Sequence, residues 1–138
     1  MALPEVASKL DQAIGLTLQS ADERAVTLRL EPGELAVVTD ENVQYLHGGA
    51  LATCIDTAAW YAAESAAPGD ADWVVSGLHF EALRLARDEP HLVTARCVRA
   101  GRTRAVVDVE IAAESDQERL LTIGRVSLAR APRPREAD

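Results

Sequence analysis

The feature that most constrains the fold is an alanine-rich stretch, residues 50–67, that contains neither glycine nor proline. It predicts one long helix that is apolar on most sides, whereas a surface helix shows one apolar stripe and a wide charged face. Because its polar residues form only a thin line, we expect a central helix wrapped by the rest of the chain. The apolar positions are Ala50, Leu51, Cys54, Ile55, Ala58, Ala59, Ala62 and Ala63, and the polar line is Thr53, Asp56, Thr57 and Glu64.

The residues from Asn42 onward are predicted to form a loop that runs into this helix, and two glycines, Gly48 and Gly49, stand directly before the alanine-rich stretch. Glycine lets another group approach the backbone closely, and the N–H groups at a helix start have no partner within the helix and favour negative charge. Asp56 follows Gly48 by eight residues, a little over two helical turns. A carboxylate on a mostly buried helix is costly without a purpose or a partner, so this stretch is a candidate site.

The segments that follow the helix show strand patterns, most clearly in the alternation of residues 103–113. Sequential antiparallel strands around one helix are an α+β plan. Residues 35–39 are ambiguous between a short strand and an extended approach to the helix. The predicted strands span 16–20, 25–30, 73–85, 92–100, 103–113 and 120–131, with hairpin turns at 101–102 and 114–117; Ala105, Val107, Val109 and Ile111 are predicted to face inward.

The two ends of the chain frame what we expect to be one domain spanning residues 1–138. A short amphipathic helix is predicted at 3–14 and ended by Gly15. The charged, proline-rich tail 132–138 is expected to fray. The predicted inner face of the first helix is Leu3, Val6, Leu10 and Ile14.

A His-Gly-Gly sequence at 47–49 followed by Asp56 resembles the signature of the hotdog-fold acyl-CoA thioesterases, in particular the PaaI-like branch. In that family an Asn and a Leu-His-Gly-Gly segment lead into the central helix, and an Asp follows the His by nine residues, as here. The resemblance covers residues 16–131. The chain departs from the family pattern after Asn42, where residues 43–45 lack the usual glycine and the Asn stands one residue closer to the His.

The resemblance implies a fold and an assembly. The fold is the hotdog, a curved antiparallel sheet wrapped around a long central helix. Such domains pair as homodimers with a continuous sheet, often as homotetramers, and the site lies between subunits. The apolar helix suits this burial, because one thin sheet would leave one of its sides uncovered.

The resemblance also implies an activity, the hydrolysis of an acyl-CoA thioester to a free acid and CoA. The Gly48 N–H would polarise the thioester carbonyl, where negative charge develops, and Asp56 would act as general base or as nucleophile. His47 is expected to shape the loop rather than carry a proton. Ser76 either orients the water or Asp56, or is a plain strand serine. The remaining candidates at the motif are Asn42, which could be only a turn residue, and Gly49.

Other side chains are candidates for binding the substrate. The net charge is −8, but residues 73–135 carry +3, so an anionic ligand would be met by the second half of the chain. Arginine forks suit the phosphates of CoA, although single arginines could equally be a solvated strand edge. Trp60 is a candidate for lining an acyl pocket, although large aromatic residues are usually core. The arginine candidates are Arg84, Arg99 and Arg102.

Several function classes are disfavoured. The acidic balance argues against nucleic acid as the partner, no apolar run of about 18 residues suggests a membrane span, and no Cys/His cluster has metal-ligand spacing. We expect no cofactor beyond the CoA of the substrate and, with two free thiols, a cytoplasmic chain. A Cys54–His47 nucleophile is conceivable, but a buried structural thiol is the favoured interpretation. The rival functions are a non-catalytic acyl-CoA-binding hotdog and a hotdog dehydratase or hydratase; the latter enzymes typically pair a catalytic His with an acid in a different arrangement, which this sequence does not show.

Overall fold

The computed structural model describes residues 8–69 and 71–131. Within these residues two α-helices and eight strands follow one another along the chain. A short 3-10 helix, Glu34–Ala36, precedes the third strand. The elements are α1 (Lys9–Ile14), β1 (Leu16–Ala21), β2 (Val26–Leu30), β3 (Val37–Asp40), β4 (Val43–Leu46), α2 (Gly48–Ala66), β5 (Asp72–Ala82), β6 (His91–Ala100), β7 (Arg104–Ala113) and β8 (Asp116–Ala131).

Six of the strands form one curved antiparallel sheet in the order β1-β2-β6-β7-β8-β5. These are the six strands that the sequence predicts, with ends that differ by a few residues. Strands β3 and β4 form a separate hairpin. The sheet wraps around α2, so the α+β hotdog arrangement is confirmed. The four residues of β7 that were predicted to face inward are all buried: Ala105, Val107, Val109 and Ile111.

Helix α2 is the centre of the hydrophobic core, as its composition predicts. All eight apolar positions of the predicted helix are buried, and Glu64 of the predicted polar line is buried as well. A side chain at Gly124 of β8 would lie 3.3 Å from Ile55, so glycine there lets the sheet approach the helix closely. The opposite side of α2 is left partly uncovered. There, Gly48, Gly49 and Asp56 are exposed, and Ala52, Thr53, Thr57 and Trp60 are half-buried.

The inner face of α1 differs from the prediction. Ser8 caps the helix by accepting hydrogen bonds from Leu10 N and Asp11 N, and Gly15 ends it with φ 92°. Leu10, predicted to face inward, is 56% exposed, whereas Asp11 is only 4% exposed. Ile14 anchors the helix to the core, and the helix is turned so that Asp11, three residues before Ile14, lies against α2 and accepts a hydrogen bond from Thr57 Oγ1. Residues 3–7 of the predicted helix, including Leu3 and Val6, and the tail at 132–138 lie outside the described residues.

The connection into α2 is a strand rather than a loop. Residues 43–46, taken from the sequence as a loop, pair with β3 as β4, and residues 37–40 resolve the ambiguous segment as a strand. Two backbone hydrogen bonds fix the end of β4. Leu46 N donates to Ala86 O and His47 N donates to Ala36 O, each at 2.8 Å. The start of α2 is therefore held from two sides.

Strand β5 is an edge of the sheet and contains a bulge at Ser76, where the register with β8 shifts. Trp73 and Val75 pack inward before the bulge, and Leu78 and Phe80 pack inward after it. The extra residue thus moves the inward-facing positions from odd to even numbers. Because side chains alternate along a strand, both halves of β5 can contribute to the same core only through this bulge.

Candidate active site

The first turn of α2 uses most of its backbone donors. His47 is the N-cap residue, and its Nδ1 accepts a hydrogen bond from Gly49 N at 2.8 Å. The His47 carbonyl accepts from Ala50 N at 2.9 Å and from Leu51 N at 3.2 Å. Among the hydrogen bonds of the described residues, none satisfies the Gly48 N–H. This N–H is exposed at the positive end of the helix, where a developing negative charge would be stabilised.

The two glycines have different reasons to be glycine, although the sequence suggested one reason for both. A Cβ on Gly49 would lie 2.9 Å from Nδ1 of His47, so a side chain there would disturb the cap. A Cβ on Gly48 would have no atom within 4 Å. Among the described residues nothing prevents a side chain at Gly48, and the lack of one leaves open space beside the helix start.

His47 caps α2 and so orders the turn that leads into the helix. Since Nδ1 accepts the Gly49 N–H, the ring proton of the neutral imidazole belongs on Nε2. The imidazole ring therefore stabilises the turn that contains Gly48. Because the lone pair of Nδ1 accepts the bond from Gly49 N and Nε2 carries the proton, the neutral ring has no free nitrogen with which to take a proton from the Cys54 thiol.

Cys54 has the character of a structural thiol. Its side chain is fully buried, and burial raises the pKa of the thiol to about 12, with a smaller effect from the charge of Asp11. A thiolate is the nucleophilic form of cysteine. Cys54 is therefore protonated at physiological pH, which argues against a Cys–His mechanism.

Asp56 lies on the uncovered side of α2, at a cavity of about 520 Å³ between α1, α2 and β5. Although Asp56 as a whole is exposed, partial burial of its carboxyl group by the neighbouring side chains raises the carboxyl pKa, and the charge of Asp11 raises it further. A raised pKa makes a carboxylate a stronger base. The cavity is lined by Ser8, Asp11, Asp56, Thr57, Trp60, Tyr61, Trp73, Val74 and Val75.

Aromatic residues form much of the apolar wall of this cavity. Trp60 is half-buried and packs edge-to-face against Tyr61, with ring centroids 5.1 Å apart. Trp73 is 2% exposed, and its indole Nε1 donates to Ala67 O at the end of α2. Trp60 is thus brought beside Asp56, as a residue lining an acyl pocket would have to be.

Asp11 is the residue at this site that the sequence did not reveal. Its carboxylate accepts a hydrogen bond from Thr57 Oγ1 at 2.7 Å, across 46 residues of sequence. Burial raises the pKa of the Asp11 carboxyl, and the bonds from Thr57 and Ser8 oppose that rise. The sequence marked Asp11 only as an acidic residue next to Leu10, which belongs to the predicted apolar face of α1.

Ser76 and Asn42 lie outside this cavity. The Ser76 hydroxyl donates to Ser127 O at 3.1 Å, and its side chain is exposed on the edge strand, one residue beyond Val75. Asn42 is exposed in the turn between β3 and β4, next to Glu41, which has φ 49°. Within one chain neither side chain is brought to Asp56.

The candidate arginines divide between the two ends of the molecule. Arg84 shares a cavity of about 350 Å³ with Arg87 and Arg119, and its Nη1 donates to Leu120 O. This group flanks Ala86, whose carbonyl holds the end of β4, so it lies at the same end as the start of α2. The cavity also contains two carboxylates, Glu89 and Asp116.

Arg99 and Arg102 lie towards the other end, near the end of α2. Arg102 is exposed in the turn between β6 and β7, where Gly101 N donates to Arg104 O. That turn is held to β8, since Arg130 N donates to Thr103 O. The Arg130 guanidinium in turn reaches Ala67 O, just beyond the last turn of α2. A single chain therefore does not bring Arg99 and Arg102 to the group around Arg84.

Residues 8–69 and 71–131 contain neither a cluster of metal ligands nor a membrane-spanning helix. No group of three or more His, Cys, Asp and Glu side chains there could hold a metal ion. No helix in that part of the chain is long and apolar enough to cross a membrane.

A helix wrapped by a curved antiparallel sheet, with an acidic residue at mid-helix and a glycine N–H at its start, defines a hotdog-fold domain with a candidate site for acyl transfer chemistry. The family model of the thioesterase superfamily matches residues 43–120, more than half of the chain. The chain belongs to the thioesterase superfamily. This membership confirms the family resemblance and supports thioester hydrolysis as the general activity.

Solved structures show the same fold. A thioesterase of Haemophilus influenzae is 17% identical with a TM-score of 0.80, covering 95% of this chain and 89% of its own. The Escherichia coli PaaI protein of the phenylacetic acid degradation operon is 23% identical, TM-score 0.76, with 91% and 86% covered. Zebra fish thioesterase superfamily member 2 is 23% identical, TM-score 0.76, with 91% and 89% covered. The comparison with curated proteins gives no match.

Proposed function

We propose that this protein hydrolyses an acyl-CoA thioester, and that it does so as a homo-oligomer with the site between subunits. The observation that carries the proposal is the start of α2. There the Gly48 N–H is the first-turn donor without an acceptor among the described residues, and the space beside it is open. A backbone donor held in place before the reaction is suited to the oxyanion that forms when a thioester is attacked.

Asp56 is the group that would supply or activate the nucleophile. Its raised pKa suits it to accept a proton from water. Direct attack on the thioester to form an anhydride is the other route open to a carboxylate. In the first route water adds to the acyl carbon, the CoA thiolate leaves, and the proton held by Asp56 is returned to the products.

The spacing along α2 supports a site shared between two chains. Eight residues correspond to about 12 Å along a helix axis. The donor must lie about 3 Å from the carbonyl oxygen, and the nucleophile must lie about 3 Å from the carbonyl carbon. These two distances together are shorter than the separation of Gly48 and Asp56 along one helix. The Gly48 N–H of one subunit would therefore act with Asp56 of the other, and the uncovered side of α2 would be the surface between them.

Strand β5 supports the same assembly. It is an 11-residue strand that, among the described residues, pairs with a neighbouring strand on one side only, and Val74 on it is 49% exposed. A long edge strand is a ready template for pairing with another chain. Pairing of two β5 strands would continue the sheet across a dimer and would bring the partner against the cavity at Asp56, whose wall includes Val74 and Val75. In that setting Ser76 would lie at the junction.

The phosphates of CoA would be met by Arg84, Arg87 and Arg119. These guanidinium groups line one cavity at the end of the molecule where α2 begins. No ion pair of the described residues engages them. Arginine binds phosphate through paired N–H donors. Trp60 and the neighbouring aromatic residues would receive the acyl group.

The test is thiol release from a panel of aryl-, short- and long-chain acyl-CoAs, followed by a mixing experiment. We expect turnover of at least one member and a loss of activity in both Asp56→Asn and Gly48→Val. If the two inactive variants are unfolded and refolded together, each mixed dimer contains one intact site. Half of the dimers are then mixed, so about a quarter of the parental activity returns.

The outcomes separate the alternatives. If the parent is active but the two variants are inactive both separately and after refolding together, the site is not shared between subunits. Tight binding of acyl-CoA with no turnover in the parent contradicts hydrolysis and favours the non-catalytic binding function.

A further inference from the structure

We propose that Asp11 is a positioning residue for Asp56: from α1, and fastened by Thr57, it holds a negative charge on the wall of the cavity that Asp56 lines. The proposal rests on the proposed function, because it concerns the same carboxylate. It assigns a role to the first helix, which the family motif does not include.

The geometry is the first support. Asp11 and Asp56 line one cavity although they belong to different helices, and the Thr57 hydroxyl, on the residue next to Asp56, donates to Asp11 Oδ1 at 2.7 Å. Movement of Asp11 is therefore coupled to the turn of α2 that carries Asp56. Because Ser8 and Gly15 fix both ends of α1, the position of Asp11 is set by the fold rather than by a long flexible side chain.

Burial without a cation is the second support. Asp11 is 4% exposed, and burying a carboxylate is costly unless it is paired. No Lys, Arg or His lines the cavity among the described residues. The attachment of α1 does not need the charge, since Ile14 O and Gly15 O accept from Gly33 N and Glu31 N at 2.9 Å. The fold thus keeps an unfavourable charge next to the candidate base.

The groups around Asp56 explain what that charge would do. From α1 the cavity receives Asp11, from α2 Tyr61, and from β5 only the uncharged Trp73, Val74 and Val75. Tyr61 is neutral at physiological pH, since burial raises the pKa of its phenol. Asp11 is therefore the charged neighbour of Asp56 in this cavity. A like charge disfavours the ionised form of a carboxylate, so Asp11 raises the pKa of Asp56 and strengthens it as a base.

The experiment measures kcat/KM against pH for the full-length parent, Asp11→Asn and Thr57→Val. In Asp11→Asn we expect the acid limb, where Asp56 loses its proton, to move to lower pH. The rate above the limb should fall by less than the ~10²-fold that loss of the base itself would cause. Thr57→Val should move the limb in the same direction, because loss of the hydroxyl donor favours the protonated, uncharged form of Asp11. Thermal unfolding is recorded for each variant.

The matched control is Asp22→Asn, the same change at an exposed carboxylate in the turn between β1 and β2. The new Asn oxygen can still accept the bonds from Arg24 N and Ala25 N, and this turn is not part of the cavity at Asp56, so the limb should stay where it is. A purely structural role for Asp11 predicts that Asp11→Asn lowers the unfolding temperature and leaves the limb in place. That result would overturn the inference, while leaving hydrolysis by Asp56 intact.

A second measurement does not depend on turnover. Titration of the Asp56 carboxyl carbon by NMR should give a lower pKa in Asp11→Asn than in the parent. If the parent hydrolyses no thioester, the proposed function fails but this titration still tests the coupling of the two carboxylates. An unchanged Asp56 titration refutes the role of Asp11 whatever the activity.

Discussion

Replacement of Gly48 separates the stability of the chain from its proposed chemistry. In Gly48→Ala the new Cβ meets no atom of the described residues within 4 Å, so no native contact among them is disturbed, and the Cβ of Gly48→Val enters the same open space. Alanine in a helix is favoured over glycine by up to about 1 kcal/mol. We therefore expect Gly48→Ala to unfold at the parental temperature or slightly above it. Any loss of activity then arises from what approaches Gly48 from outside the chain.

The magnitude follows from the single donor involved. Loss of one oxyanion donor typically costs about 10²–10³ in kcat, or about 2.7–4 kcal/mol. We expect Gly48→Val to reach this range, because its branched side chain fills the space that the thioester oxygen needs, and Gly48→Ala to fall between it and the parent. The Arg84 group is separate from Gly48, so CoA itself should still bind.

The assay combines thiol release by absorbance, CoA affinity by calorimetry and thermal unfolding. Gly101→Ala is the matched control, since its Cβ would make only an ordinary 3.6 Å contact with Arg104 O, far from α2's first turn. Gly49→Ala gives the opposite pattern in stability, because its Cβ would displace the His47 ring and weaken a cap worth about 1 kcal/mol. A folded Gly48→Val that turns over within tenfold of the parent would show that the carbonyl is polarised elsewhere.

Three further predictions concern charge and assembly. Asp56→Asn should lose at least about a hundredfold in rate while unfolding at a higher temperature at pH 7. Its folded pKa is raised by burial, so the charged form opposes folding and stability falls as pH rises through that pKa; an Asn variant with near-parental rate contradicts the assignment. Light scattering should detect a dimer or tetramer, because β5 and one side of α2 are uncovered, and a monomer at micromolar concentration would exclude a shared site. Arg84→Ala should raise KM more than it lowers kcat, and Arg99→Ala should raise KM less than Arg84→Ala does. An equal rise of KM in the two variants would refute the assignment of the phosphates to the Arg84 group.

The elements of the fold were accessible from the sequence because their signals are local. The alanine-rich, mostly apolar stretch without glycine or proline located α2, and runs of strand-forming residues between turn residues, with alternation clearest in β7, located all six strands of the main sheet. The burial of the eight apolar positions of α2 followed from the same pattern. The hairpin of β3 and β4 was harder, since four-residue strands carry little periodicity, and residues 43–46 were taken as a loop.

Some features of the candidate site were also accessible from the sequence, and others were not. Spacing along one helix was enough to single out Gly48 and Asp56, because both belong to a continuous segment. Which glycine serves the His47 cap and which leaves open space depends on side-chain positions that no spacing encodes. The separation of Arg84 from Arg99 and Arg102 likewise depends on which strand ends meet.

Asp11 shows most clearly what only the tertiary structure decided. By sequence it is one acidic residue in a short helix, beside Leu10, whose apolar side chain was expected to face the core. The packing of α1 through Ile14 buried the acid and exposed the leucine instead. Its bond to Thr57 spans 46 residues. Local patterns determine which segments become helix or strand, but the charges that meet in a cavity are set by how those segments pack, because that requires contacts between residues far apart in the chain.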